Sequence, residues 1–319
     1  LLPKIQHEKP HNFSTNIDIN TRLFNFLFAI ALLCTPLYAY EVYKLISLFV
    51  VDDLMKAIRQ LATFGDGYGL LNMVLVLDMA LMIVAVWRYP KIPLWQLLVL
   101  IVLWILLCIC NMAKVLFFIM FITIIYALYD RKKISLRSII ISSGTLFLLF
   151  YLFTLSREGG DFETEETLLD FLGTYVLSGS VAYGHVNPNI SEFFGQNVFW
   201  VLSCYGTEFF GGQEVPMIQF QDFINVPVET NVYTLFRPYF ADFGQIGVAM
   251  AAFIYGIVSG VIYRFARFGN AFAKCFYTYI IYILVMQFFD DVVVSSLLLI
   301  TQLAFLLYIL VQKSVTIKI

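Results

Sequence analysis

Arg237 and Pro238 stand immediately before a long apolar run and together read as the start of a helix. Proline is favoured at the first helical position because the N–H it lacks would be unpaired there anyway. The unpaired N–H groups that follow, the positive end of the helix dipole and the forked guanidinium of Arg237 outline an anion site suited to phosphate. The alternative use of Arg237 is to reach lipid headgroups or to pair with Asp242. A parallel arrangement occurs at Asn111 and Lys114, where Asn111 can cap a second helix and Lys114 lies in its first turn. A cation at that end opposes the dipole, and an anion bound between them would relieve the conflict; a lysine lifting its ammonium to the membrane interface is the alternative. Arg157, at the end of another apolar run, is a third cation on the same side, with neighbouring acids as its alternative partners.

Proton transfer needs a different set of groups. His185, in Tyr183-Gly184-His185-Val186-Asn187-Pro188, is the one histidine expected on the extracytoplasmic side, and histidine suits proton transfer near neutral pH. A lone loop histidine can equally be a solvated bystander. Glu208, Asp222, Glu229 and Asp242 are the nearby carboxylates, and Asp242 is the best placed because it follows Arg237 in the first turn of the same helix. Its alternative role is electrostatic complement to that helix terminus. Asp78 falls in the middle of an apolar run, where an ionised carboxylate costs about 2.5–3.5 kcal/mol, so it is expected to be partnered or protonated. As intramembrane acids mark ion and proton pathways, Asp78 is the strongest argument for a transporter.

The elements that position these residues are set by composition. Of 319 residues, 61% are hydrophobic and 13% charged, and a mean hydropathy of +0.83 puts the chain outside the soluble globular class. Runs near the length needed to cross a bilayer recur, giving an all-α, polytopic transmembrane helical bundle of about eight helices. They are Leu23 to Tyr43, Leu70 to Trp87, Leu94 to Cys110, Val115 to Tyr129, Ile139 to Leu155, Tyr239 to Tyr263, Phe276 to Phe289 and Val292 to Val311. The third and fourth are divided at Asn111-Met112-Ala113-Lys114, which would otherwise sit at bilayer depth. With the N-terminus inside, only six of the twenty basic residues lie outside (Lys44, Lys56, Arg59, Lys114, Arg157 and Arg237), which satisfies the positive-inside rule.

Residues 1–319 form a single membrane domain, and residues 156–238 a large extracytoplasmic loop that is the expected place of work. Within the loop, Thr164 can cap a short helix running into Leu168-Leu169-Asp170-Phe171-Leu172. Val198 to Phe210 is apolar but too short to span, so the two amphipathic pieces could roof a cavity at the outer face. The chain opens on leucine and a polar stretch, so it is expected to begin within a longer protein that carries an even number of further helices upstream. Cys34, Cys108, Cys110 and Cys275 fall in or beside apolar runs and Cys204 outside them, which implies no disulfide framework. Gly256 and Gly260 read as close helix packing.

The stretch Asn231-Val232-Tyr233-Thr234-Leu235-Phe236-Arg237-Pro238-Tyr239-Phe240-Ala241-Asp242-Phe243-Gly244-Gln245-Ile246-Gly247 resembles the signature of the Wzy-type O-antigen polymerases, the oligosaccharide repeat-unit polymerases. Outward Lys114 is similar to a basic residue that these proteins and the related O-antigen ligases carry at a comparable place. The resemblance implies glycosyl transfer at the outer face of a bacterial inner membrane, with both ends of this chain cytoplasmic. A growing glycan leaves undecaprenyl pyrophosphate for the terminal sugar of another lipid-linked repeat unit, with no nucleotide sugar, metal or other cofactor. Arg237, Lys114 and Arg157 are then the expected pyrophosphate-binding cations, Asp242 or His185 the base, and Asn231, Tyr233 and Tyr239 the substrate contacts. Tyr183, Trp200 and Tyr205 could also stack on sugars or anchor at the interface. The expected partners are the undecaprenyl-pyrophosphate-linked oligosaccharide, membrane lipid and a chain-length regulator, with no nucleic acid; a ligase and a flippase for lipid-linked sugars are the alternatives.

Overall fold

The structure, a computed structural model, describes residues 17–47, 73–111, 114–157, 168–188, 191, 193–203, 206, 211, 224–226, 229–230, 232–289 and 291–312. These are mostly helical. The helices are α1 (Thr21–Ser47), α2 (Met73–Arg88), α3 (Leu94–Asn111), α4 (Lys114–Asp130), α5 (Leu136–Arg157), α6 (Leu168–Tyr183), α7 (Arg237–Arg267), α8 (Ala271–Met286), α9 (Val292–Ser295) and α10 (Leu297–Val311). A two-stranded antiparallel hairpin, β1 (Ile224–Asn225) with β2 (Glu229–Thr230), is the non-helical element, paired Ile224 with Thr230 and Asn225 with Glu229. α1, α3 and α7 are long and apolar enough to cross a membrane, and α4, α5, α8 and α10 contain shorter apolar helical stretches.

α2 is the centre of the bundle. It is apolar all round and buried from Val76 to Trp87, with α1, α3, α4, α8 and α10 packed about it, as expected of a helix enclosed by other helices. The indole N–H of Trp87 donates to Thr278 on α8 at 2.8 Å, and that of Trp104 donates to the Leu116 carbonyl at 2.9 Å. Each satisfies a polar handle that would otherwise be stranded in the core. Asp78, 1% exposed, accepts a 2.8 Å hydrogen bond on Oδ2 from Thr35 of α1, while its Oδ1 is buried with no hydrogen-bond partner among the described residues. Cys34, Cys108, Cys110 and Cys275 are free thiols.

The helix ends collect at two faces. At one, Arg88 donates to Thr21, Lys91 lies 3.8 Å from Asp18, and the Asn20 N–H donates to the Leu310 carbonyl. Arg131 donates to the carbonyls of Tyr89 and Trp87 at the same end. The opposite face carries Tyr38, Met73, Asn111 and Leu297 together with Trp200, and is the end to which the long loop belongs.

Three expectations change. The seventh apolar segment begins at Ala271, not Phe276: Gly269, at φ 87°, ends the preceding turn, and Asn270 caps the new helix by accepting from Ala273 N–H at 2.9 Å. Lys274, which the sequence placed in a connection, therefore lies in the first turn of α8, buried, with its ammonium 5.8 Å from the Trp87 ring centre. The eighth segment is interrupted at Ser296, where α9 gives way to α10. A Cβ at Gly256 or Gly260 would meet nothing within 4 Å among the described residues, because both lie on an exposed face of α7, turned away from the face that packs on α8.

Candidate functional site

Gly244 has φ 60° and ψ −149° within α7, a backbone region open essentially to glycine alone. The helix breaks there. Residues 237–243 form a short outer piece that starts on Arg237 with Pro238 second, and residues 245–267 continue as the long apolar helix. Gly247 allows the two pieces to close up, since a Cβ there would lie 2.3 Å from the Tyr239 carbonyl oxygen. This break is absent from the sequence expectation of one continuous helix. Its signal is the Gly244-Gln245-Ile246-Gly247 spacing.

The outer piece is held on every side. Ahead of it, the Leu235 N–H donates to the Gln287 carbonyl at 2.9 Å, tying the approach to the end of α8. The Arg237 guanidinium lies 4.9 Å from the centre of the Tyr233 ring, and Tyr233 is buried. Tyr183, the last residue of α6, meets Phe240 edge-on at 5.4 Å, which brings the turn carrying exposed His185 beside the outer piece. Phe194 packs on Phe243 at 5.1 Å. Tyr239 donates to Tyr255 at 3.4 Å, and Tyr255 donates to Asp291 at 2.6 Å.

Asp242 gathers a loop around itself. Its carboxylate accepts from the Asn197 N–H at 3.1 Å, the Asn197 side-chain amide at 2.7 Å, the Val198 N–H at 2.8 Å and the Ser191 hydroxyl. The Asn197 amide also donates to Ser191 at 2.9 Å. A carboxylate has about four acceptor positions, and these donors occupy them. Gly195, at φ 67°, makes the turn that allows the loop to close on Phe199.

Two cavities lined by described residues open at this end. One of about 300 Å³ lies between α6 and the break in α7, lined by Tyr183, Val186, Phe240 and Gln245. The other, about 530 Å³, lies between α1, α2, α3 and α10, with Trp200 and Val201 of the loop on its wall and Tyr38, Asn111 and Gln302 among its polar groups. Asn111 Oδ1 accepts from Tyr38 at 2.9 Å and its Nδ2 donates to the Leu107 carbonyl; residues 112–113, between it and α4, lie outside the described residues.

The structure thus groups Arg237, Tyr233, Tyr239 and Asp242 on and around one short helical piece, with His185 in the adjoining turn. Lys114 and Arg157 are the first residue of α4 and the last of α5; their side chains lie outside the described part. Asn231, Thr164, Cys204, Tyr205, Glu208 and Asp222 also lie outside the described residues, as does the side chain of Glu229. Asp291 is the functional candidate that the sequence reading passed over. It is 2% exposed and caps α9 by accepting on Oδ1 from the N–H groups of Val293 and Val294 at 2.9 and 3.1 Å.

No family model matches the chain, and no solved structure matches it. Among curated proteins it is similar to one from Escherichia coli (strain K12) described as "Putative O-antigen polymerase", 29% identical over 154 residues. The match takes in 48% of this chain and 37% of that protein's length, so the chain covers well under half of its relative.

Proposed function

We propose that the chain acts as a membrane glycosyltransferase that polymerises undecaprenyl-pyrophosphate-linked oligosaccharide repeat units into a surface polysaccharide, O-antigen or capsule-like, at the outer face of the bacterial inner membrane. The observation that carries this reading is the broken start of α7. A helix N-terminus opens there with Arg237 as its first residue, directed by the Tyr233 ring, beside a cavity lined by Tyr183 and Phe240. The similarity to the Escherichia coli protein supports the same chemistry. The basic residues Arg88, Lys91 and Arg131 sit at the opposite end of the bundle, and in this reading that end is cytoplasmic.

A sugar on pyrophosphate is already activated. What the protein must add is stabilisation of the departing charge, orientation, and an acceptor for the incoming hydroxyl's proton. Arg237 and the helix N-terminus take the pyrophosphate, with Lys114 and Arg157 as further cations, and Asn231, Tyr233 and Tyr239 contact the glycan. Of the two sequence candidates for the base, Asp242 already holds the 191–198 loop, which favours it as an anchor, and His185 stands exposed in the adjoining turn.

A flippase is the second reading, favoured by Asp78 buried on the central helix. The test is reconstitution of the protein in liposomes with purified undecaprenyl-pyrophosphate-linked repeat units. A ladder of products supports the polymerase; addition to a non-polyprenyl acceptor only would make it a ligase; movement of lipid-linked sugar between leaflets without transfer would establish the flippase.

A further inference from the structure

Asp291, Tyr255 and Tyr239 form a hydrogen-bonded chain in which each donation runs the same way, from Tyr239 to Tyr255 and from Tyr255 to Asp291 Oδ1. One end is half-buried, on the first turn of α7 two residues after Arg237. The other is a carboxylate sealed beneath the turn between α8 and α9. We infer that this chain is the route by which the proton of the acceptor hydroxyl leaves the reaction, with Asp291 as its terminus. The inference rests on the glycosyl-transfer reading and adds to it the residue that ends with the proton.

The step balances without any further reactant. The acceptor sugar's oxygen forms its bond to the anomeric carbon of the donor glycan as the bond from that carbon to the pyrophosphate oxygen breaks, and the electron pair leaves with polyprenyl pyrophosphate. The hydroxyl proton passes to the Tyr239 oxygen while the Tyr239 proton moves to Tyr255 and the Tyr255 proton to Asp291. Tyr239 is the catalytic residue, because it touches the reacting hydroxyl, and Tyr255 and Asp291 are positioning residues that act through it. Three properties of Asp291 suit the task. Burial pushes its carboxyl above the ordinary carboxylate range, offset in part by hydrogen bonding with Tyr255, Tyr239 and the backbone N–H groups, so it holds a proton more readily than an exposed acid. Its backbone bonds to Val293 and Val294 fix its orientation. Its position out of water keeps the proton from exchanging before the bond forms.

Asparagine is as good a helix cap as aspartate and can still accept from Tyr255, but it cannot take the proton. Asp291→Asn therefore separates the relay from the cap. With the protein in liposomes and a polyprenyl-pyrophosphate-linked repeat unit as substrate, Asp291→Asn and Tyr239→Phe are each expected to lower kcat about 10²-fold or more, with thermal unfolding temperature close to wild type in both and KM close to wild type in Asp291→Asn, whose side chain is buried. Combining Asp291→Asn with Tyr255→Phe should cost little beyond either alone, as groups acting in one unit do. Wild-type kcat in Asp291→Asn or in Tyr239→Phe would overturn the relay while leaving the polymerase reading intact. A change in KM alone, or a loss of kcat matched by a loss of folded protein in both variants, would reduce the chain to a structural tie. Absence of any product from wild type would overturn the relay together with the glycosyl-transfer reading.

Discussion

Nδ2 of Asn197 lies 2.7 Å from Oδ1 of Asp242, although 45 residues separate them in the chain. With the neighbouring N–H of Val198 and the hydroxyl of Ser191, this contact makes Asp242 the point at which the long loop is fastened to the outer piece of α7. Hydrogen bonds to a charged acceptor contribute about 1.5–3 kcal/mol each when they are lost singly, so this side chain is a main fastening of the loop beside the Phe194–Phe243 contact.

If Asp242 is an anchor, the residues it holds should matter as much as it does. Ser191→Ala, Asn197→Ala and Asp242→Asn are each expected to reduce polymer formation by similar factors and to speed proteolysis within residues 191–199. If Asp242 is instead the base, Asp242→Asn alone should slow transfer, by about 10²-fold or more, with the other two near wild type. Initial polymerisation rates and limited proteolysis on the three variants distinguish the two roles.

The break in α7 depends on two glycines. Gly244→Ala forces a side chain into a backbone region that costs about 1–3 kcal/mol, and Gly247→Ala drives a methyl against the Tyr239 carbonyl, an overpacking penalty of about 1–3 kcal/mol. Both should lower the unfolding temperature of the detergent-solubilised protein and depress transfer. Gly256→Ala and Gly260→Ala, which point into open space among the described residues, should stay within about 0.5 kcal/mol of wild type. A large loss at Gly256 or Gly260 would mean that another surface packs on that face.

Asp78 separates transfer from transport. Asp78→Asn keeps an oxygen able to accept from Thr35 but removes the group that could carry a proton or a charge. The polymerase account expects product ladders within a few-fold of wild type and an unchanged distribution of chain lengths. Loss of sugar movement across liposomes, with transfer to substrate already on the outer leaflet unaffected, would assign Asp78 to transport instead.

The helices were legible because their signal is local. Uninterrupted apolar runs fix where α1, α3, α4 and α5 lie to within a few residues. The beginning of α8 lies earlier than the apolar run suggests because the Gly269-Asn270 stop and cap set the boundary, and Lys274 fits within the first turn with its ammonium near the Trp87 ring. Arg237 could be singled out because it stands at the head of a helix, and Tyr233 and Tyr239 because they fall in the stretch that resembles the polymerase signature. Asp291 could not, because its meaning comes from Tyr255, 36 residues earlier in the chain, and no spacing rule joins them. The loop donors to Asp242 were hidden for the same reason, and the break at Gly244 because glycine in an apolar helix reads first as packing.

The central claim is that Arg237, at the head of the outer piece of α7, holds the departing pyrophosphate. Its most direct test is product length on a gel from liposomes carrying wild type, Arg237→Ala or Arg237→Lys protein, each shown to be inserted and folded, with undecaprenyl-pyrophosphate-linked repeat units as substrate. The account predicts a ladder from wild type, none from Arg237→Ala, and little recovery in Arg237→Lys, because an ammonium cannot reproduce the two-pronged contact of a guanidinium. A full ladder from Arg237→Ala would contradict it.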